Sequence, residues 1–249
     1  MPIQIFTLFL DNVAPVFGIV LIGYIFGPRL QLDARSLSRV AYYVFLPAFV
    51  FNAISTAVFT MAEAAQAVGY IVLVHVSCAL IGFTVARCLK RSWEITAAYV
   101  LVALFGNVGI FGVAIIGFRL GPDVVPLGTL YFVAINITAF IIGVGFATWL
   151  REGAGVGAAV LAVFKTPPIL ALVPALAFQG AGVAVPMMPS RIIGLLAGGM
   201  IPTLLFVVGQ NLAESDRMKL DADVIIATLL RLVVAPLLAV ALAVPLGVK

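Results

Sequence analysis

Charged residues are scarce in this sequence, and hydrophobic residues dominate it. Only 10% of its 249 residues are charged, whereas 64% are hydrophobic and the mean hydropathy is +1.25. A water-soluble domain cannot hide that share of apolar side chains, so the composition excludes a soluble enzyme or binding module. The sequence therefore predicts an all-α integral membrane protein, because a helix satisfies its own backbone groups inside the bilayer.

Metal-binding and nucleophilic residues are equally rare. One histidine, His75, and two cysteines, Cys78 and Cys88, form no metal-ligand spacing. An intramembrane enzyme needs paired aspartates, a zinc-ligand set or a Ser/His pair at membrane depth, so we expect no enzyme, no cofactor and no metal. His75 could carry a proton, but a neutral histidine bonded to nearby backbone is the commoner case. The two thiols are most simply apolar fillers.

Basic residues are missing from residues 1–28, so the positively charged start of a cleavable signal peptide is not evident there. The remaining chain carries all fourteen Lys and Arg residues, mostly in short connectors. Because these residues form no single patch, the net charge of +4 gives no reason to expect nucleic acid as a partner.

The hydrophobic residues fall into eight apolar segments, each of which is a predicted membrane-spanning helix. The segments cover approximately residues 13–26, 40–57, 64–86, 95–118, 126–150, 158–178, 192–212 and 224–244. Ten basic residues lie in the connectors after the odd-numbered segments, three lie on the other side, and Arg231 lies within the eighth segment. This asymmetry follows the positive-inside rule and predicts a multi-pass protein of the cell inner (plasma) membrane with its amino terminus outside.

The fourth segment carries an unusual stretch at its centre. It reads Phe105-Gly106-Asn107-Val108-Gly109-Ile110-Phe111-Gly112. Glycine weakens a helix, and the Asn107 amide finds no hydrogen-bond partner in hydrocarbon. Backbone opens at membrane depth only where protein or a water-filled cavity receives the freed groups, as in the broken helices of secondary transporters. A helix contact between small residues is the alternative, but it leaves Asn107 unexplained.

Prolines recur at similar spacings within the apolar segments. One pair is 32 residues apart and ends at Pro47, and a second pair is 34 residues apart and ends at Pro202. We interpret this as a weak internal repeat, with a five-helix repeat over residues 1–152 and an incomplete, three-helix repeat over residues 153–249. Because five is odd, the second copy would insert upside down, as in inverted-repeat transporters. Pro47 and Pro202 are expected to shape their helices.

Several short motifs occur in a fixed order along the chain. They are Tyr42-Tyr43-Val44-Phe45-Leu46-Pro47-Ala48, Phe105-Gly106-Asn107-Val108-Gly109, Lys165-Thr166-Pro167-Pro168, Ile201-Pro202 to Gly209, and Leu230-Arg231-Leu232 with Pro236. Each motif is weak alone. Their combination, over nearly the whole chain, resembles the auxin efflux carrier family of membrane transport proteins, in its bacterial branch.

The resemblance implies a fold and a class of substrate. Members of the family are similar in fold to the sodium/bile-acid symporters, with two inverted five-helix repeats and crossing broken helices. They carry small organic anions such as auxin, malonate or malate. A complete member has ten helices, so we expect the last two, including the second broken helix, to be missing here. The alternative to an anion transporter is therefore a truncated, non-transporting membrane protein. A further possibility is a homo-oligomer, in which a second copy supplies the partner helices.

The expected substrate site lies at the broken fourth helix. Unpaired N–H groups at the start of a half-helix favour an anion, so Gly109 and Gly112 are expected to present backbone donors and Asn107 an amide. Asn136 in the fifth segment is a further candidate, although a helix-to-helix hydrogen bond explains it equally well. Relatives have a proline just after the Gly-Asn-x-Gly motif where this chain has Val113-Ala114, so Gly112 is expected to provide the break.

Carboxylates are absent from the interiors of all eight segments. The ten acidic residues lie in connectors or at segment ends. The sequence therefore offers no mid-membrane carboxylate to relay protons or hold sodium, which favours movement of an anion driven by the membrane potential. Arg231 is the one formal charge within a segment, and we expect its side chain to snorkel toward the aqueous surface at the start of its helix.

Overall fold

A computed structural model describes residues 7, 10–106, 108–150, 161, 164–215 and 221–245. Within these residues every regular element is a helix, which confirms the predicted all-α class. Five helices are long and apolar enough to cross a membrane, and they are Ala34–Ser55, Ala62–Cys88, Pro122–Ala139, Met187–Glu214 and Ala222–Ala243. Three shorter apolar helices, Ala14–Arg29, Trp93–Leu104 and Pro167–Ala181, lie in the other predicted segments.

The described α-helices of seven or more residues are numbered here in chain order. They are α1 (Ala14–Arg29), α2 (Ala34–Val40), α3 (Leu46–Ser55), α4 (Met61–Cys88), α5 (Trp93–Leu104), α6 (Val113–Leu120), α7 (Val125–Leu150), α8 (Pro167–Ala181), α9 (Met187–Gly198), α10 (Met200–Glu214), α11 (Ala222–Leu229) and α12 (Ala235–Ala243). Wider, π-helical turns occupy Ala41–Phe45, Val108–Gly112 and Leu230–Val234.

Two of these π-helical turns lie directly before a proline. The turn Ala41–Phe45 precedes Leu46-Pro47, and the turn Leu230–Val234 precedes Ala235-Pro236. In both places the amide just before the proline donates to the carbonyl five residues earlier. Proline lacks an N–H, and its ring clashes with the carbonyl four residues back, so a wider turn at this point lets the helix continue across the proline.

The second predicted segment begins earlier than the sequence analysis placed it. Its helix starts at Ala34 instead of residue 40, because Asp33 caps it: the Asp33 carboxylate accepts from the amides of Arg35 and Ser36, both at 3.1 Å. The Ser36 hydroxyl donates to the same carboxylate at 2.6 Å. These hydrogen bonds, led by that of the Ser36 hydroxyl, hold the pKa of Asp33 below its ordinary value. The basic connector is therefore partly helical.

The described chain forms two compact units, each assembled from separate stretches of sequence. The first unit draws on residues 1–58, 107–129 and 167–218. Within it α1 packs along α10, and α3 packs against α8 and α9. An apolar core with contributions from α1, α6 and α10 includes the fully buried Val16 and Leu205.

Glycine on both helices brings α1 and α10 into backbone contact. A Cβ atom added at Gly23 would collide with the carbonyl of Phe206, and one added at Gly209 would collide with the carbonyl of Val20. Membrane helices gain van der Waals contact by approaching through such small residues. The pairing of α1 with α10 therefore depends on the absence of a side chain at two positions.

The second unit draws on residues 59–106, 130–166 and 219–249. Within it α4 packs against α5 and α12, and α5 packs against α11. The Tyr70 hydroxyl of α4 donates to the Ala239 carbonyl of α12 at 2.7 Å. Because the hydroxyl finds its acceptor on the neighbouring helix, the bond orients α4 against α12.

Candidate functional site

The fourth segment is interrupted, as its sequence predicts. Helix α5 ends at Leu104, and Phe105 adopts an extended conformation, with φ −81° and ψ 118°. The π-helical turn Val108–Gly112 follows, and α6 continues it from Val113. Asn107, which the sequence places in the break, lies outside the described residues. The segment therefore consists of two short helices, and the break leaves carbonyls at the end of the first and N–H groups at the start of the second.

Gly109 and Gly112 lie on the π-helical turn that opens the second half of this segment. Gly109 is buried and Gly112 is half-buried. Gly112 has a helical backbone conformation, with φ −62° and ψ −52°, so the expectation that Gly112 provides the break is wrong. The break falls before the turn, because the extended residue is Phe105, which directly precedes Gly106. Gly109 is the second residue of this half-helix, among the first four whose N–H groups have no intrahelical partner, whereas Gly112 is the fifth.

Asn136 is held by its own helix. Its side-chain Nδ2 donates to the Phe132 carbonyl, one turn earlier in α7, at 2.8 Å. This bond uses one of the two N–H donors of the amide, and it lies within one helix, not between two. Asn136 belongs to the second unit, whereas Gly109 and Gly112 belong to the first.

The two prolines expected to shape helices occupy different positions in their elements. Pro47 is the second residue of α3, directly after a π-helical turn. Pro202 is the third residue of α10, which begins after a one-residue interruption at Gly199. A Cβ atom added at Gly199 would lie 3.3 Å from the ring of Phe45. The interruption in the seventh segment therefore packs against the π-helical turn of the second.

Arg231 contradicts the expectation that its side chain snorkels to the aqueous surface. It lies in the π-helical turn before Pro236, and its Nη1 donates to the Ala103 carbonyl at 2.8 Å. Ala103 is in the last turn of α5, and the guanidinium occupies the space where a Cβ atom of Gly106 would be. The charge is therefore held at the carboxyl end of the first half-helix, whose dipole end is negative. The glycine at position 106 is the feature of the sequence that permits the Arg231 guanidinium to lie so close to the backbone.

His75 is hydrogen-bonded to nearby backbone, as expected from the sequence. Its Nδ1 lies 2.9 Å from the Ile71 carbonyl one turn earlier, and its ring is 6% exposed. Nδ1 donates to that carbonyl, which makes Nε2 an acceptor in the neutral ring, and Nε2 has no partner among the described residues. One turn further along α4, Cys78 lines a cavity of about 10 Å³ together with Ala103, Leu230 and Ala235. That volume is close to the space of one water molecule.

A polar cluster joins the beginnings of α5 and α11 in the second unit. The Asp223 carboxylate accepts from Arg91 Nε at 2.9 Å and from the Tyr99 hydroxyl at 2.8 Å. Nearby, the guanidinium of Arg87 stacks on the Trp93 ring, 4.3 Å from its centroid. Asp223 therefore forms its ion pair with Arg91, at the start of its segment. Its described partners do not include Arg231, which lies further along the same segment.

These features define a class of protein: the described residues are those of an all-helical, multi-pass membrane protein in which one apolar segment is interrupted. The chain belongs to the membrane transport protein family, whose sequence model matches residues 8–158, and this confirms the predicted auxin efflux carrier family. The chain is 25% identical over 242 residues to an uncharacterized transporter, YfdV, of Escherichia coli K12, covering 93% of this chain and 77% of that protein. The same identity and coverage relate it to the YfdV proteins of Escherichia coli O157:H7 and Shigella flexneri.

Proposed function

We propose that the protein transports small organic anions, such as malonate, malate or auxin-like carboxylates, through a site at the interrupted fourth segment. Membership of a membrane transport family supports transport of a small molecule. The single observation that carries the proposal is the end of the helix at Leu104, with Phe105 and Gly106 outside any helix and a π-helical turn from Val108 onward. An open helix at membrane depth places free backbone groups where hydrocarbon would penalise them, so a substrate or water must receive them.

The substrate class follows from which groups are free. The half-helix that begins at Val108 directs N–H groups and a partial positive charge toward the break, and such an end binds carboxylates. Gly109 supplies such a donor, and neither Gly109 nor Gly112 carries a side chain that would block a ligand. Asn107 and Asn136 add amide donors, which recognise a carboxylate without burying a charge. Pro47 and Pro202 shape the surrounding helices and do not contact the substrate.

An inverted repeat of five helices accounts for the packing of the first unit. If the first and second segments correspond to the sixth and seventh, the contact of α1 with α10 has a counterpart in the contact of α8 with α3. A two-fold relation in the membrane plane exchanges those two pairs. This crosswise pairing supports the symporter-like fold, with a first repeat over residues 1–152 and a second beginning at residue 153.

The driving force that we propose is the membrane potential. Every acidic residue lies in a connector or at a segment end, so no carboxylate within a segment holds sodium or a proton. With the amino terminus outside the plasma membrane, export of an anion is favoured by the potential itself. One negative charge that leaves across 100 mV gains roughly 2.3 kcal/mol, close to a fiftyfold gradient.

Asn107→Leu tests the site. We expect this variant to insert and fold normally but to lose malonate and malate flux, because leucine keeps the volume and removes the amide. Flux is measured with radiolabelled substrate in proteoliposomes, and gel filtration and a melting curve check folding. Asn211→Leu, at an exposed position of α10, is the matched control and should keep full flux. Normal flux in the Asn107→Leu variant would show that the site lies elsewhere.

A further inference from the structure

Arg231 is a cation in the interior of an apolar segment, and no carboxylate in the described part of the chain pairs with it. Its described hydrogen bond goes to the Ala103 carbonyl. Among the described residues the only ion pair joins Arg91 and Asp223, so no described carboxylate neutralises Arg231. Asp223, on the same segment, is eight residues away, roughly 12 Å by helical rise, and accepts from Arg91 and Tyr99 instead.

The carboxyl end of α5 compensates this charge only in part. A helix end carries about half an elementary charge, and one carbonyl accepts one of the five N–H donors of a guanidinium. Arg231 is half-buried. A half-buried cation in an apolar segment is costly, and such residues generally face the helix bundle or a water-filled cavity, where they pair with an opposite charge or with backbone carbonyls. One carbonyl leaves most of the donors of Arg231 available for a further partner.

The chain is built to admit the guanidinium at this place. Gly106 follows the extended residue Phe105, and any side chain at Gly106 would occupy the position of the Arg231 guanidinium. The π-helical turn Leu230–Val234 displaces Arg231 from the path of a regular helix, because the turn contains an extra residue before Pro236. The anchoring bond to Ala103 then fixes the planar group, and a fixed guanidinium fork matches the two oxygens of a carboxylate.

We propose that Arg231 binds a carboxylate of the transported anion beside the carboxyl end of α5. This inference rests on the proposed function and adds the residue that recognises the charge of the substrate. Arg231 supplies the charge opposite to that of the carboxylate, and Ala103 holds the guanidinium in place through its backbone carbonyl. Because the Ala103 carbonyl accepts from one N–H of the guanidinium, it holds the side chain in one orientation.

The test compares four variants of the full chain in detergent by isothermal titration with malonate and with its monomethyl ester. Arg231→Gln should weaken malonate binding at least about tenfold, the usual size of a charge-assisted hydrogen bond. Arg231→Lys, which keeps the charge but not the fork, should have an intermediate affinity. Gly106→Ala should weaken binding as well, because its Cβ displaces the guanidinium while the charge remains. Gly69→Ala, where a Cβ meets nothing within 4 Å, is the control and should bind as the wild type does.

The two ligands separate recognition of charge from a structural role. In the wild type we expect malonate to bind more tightly than the ester, and Arg231→Gln should reduce that preference about tenfold. Equal weakening of both ligands would overturn the inference, as would wild-type affinity in Arg231→Gln or in Gly106→Ala. If Arg231→Gln does not fold, Arg231→Lys and Gly106→Ala decide by the same criterion. Wild-type protein that neither binds nor carries any carboxylate tested would instead overturn the proposed function.

Discussion

Gly23 of α1 lies directly against the backbone carbonyl of Phe206 of α10, with no space for a side chain between them. Gly23→Ala is therefore expected to force the two helices apart and to destabilise the protein by about 1–3 kcal/mol, the usual effect of overpacking. The melting temperature of the purified protein in detergent measures this effect.

Gly18 provides the control for that substitution on the same helix. A Cβ atom at Gly18 meets nothing within 4 Å. Gly18→Ala should therefore leave the melting temperature unchanged or raise it, because alanine favours a helix over glycine by up to about 1 kcal/mol. Equal melting temperatures for the Gly18 and Gly23 variants would contradict the close contact of α1 with α10.

The Asp223 carboxylate accepts hydrogen bonds from both Arg91 and Tyr99, so Asp223→Asn should loosen the start of α11. Because the paired side chains of Arg91 and Asp223 are 36% and 26% exposed, we expect a loss of up to about 1 kcal/mol of stability. Thermal unfolding at low and at high salt measures it, and high salt should shrink the difference from the wild type. Lys90→Gln is the matched control, and a salt-independent loss for Asp223→Asn would speak against an ion pair.

The capping carboxylate of Asp33 should make the stability of the protein depend on pH in the acid range. Its folded pKa lies below the ordinary value of 3.8, because the Ser36 hydroxyl and nearby amides donate to the carboxylate. The charged group therefore contributes stability above pH 3.8, and this contribution is lost as the pH falls through the lowered pKa. Asp33→Asn should be less stable than the wild type at pH 7, and the difference should vanish at sufficiently low pH. A difference that stays constant down to that pH would exclude this role.

The native cysteines test the orientation of the chain. Cys88 is exposed at the end of α4, beside the basic residues of its connector, and Cys78 is buried. If that connector faces the cytoplasm, a membrane-impermeant maleimide should label inside-out vesicles at Cys88 and leave intact cells unlabelled. Cys88→Ser should abolish the signal. Labelling of intact cells at Cys88 would show that the predicted orientation is inverted.

Composition and glycine placement predicted much of this structure. Apolar segments define membrane helices by length alone, and the glycines around Asn107 predicted the break because glycine weakens a helix wherever it occurs. The early start of the second segment was missed because the residues after Asp33 are basic and were assigned to a connector. Asp33 caps a helix there, and the helix forms in spite of that composition. Arg231 was misjudged because snorkelling follows from the direction of its own helix, whereas its partner, Ala103, is 128 residues away.

The measurement that tests the central claim most directly is the flux of radiolabelled malonate and malate into proteoliposomes that contain this chain, under an imposed membrane potential. We predict flux above that of empty liposomes, and it should reverse when the sign of the potential is reversed. Under a potential of 100 mV the substrate gradient should approach about fiftyfold for each negative charge moved. Flux that never exceeds that of empty liposomes, at either sign of the potential, would contradict a transporter of small organic anions.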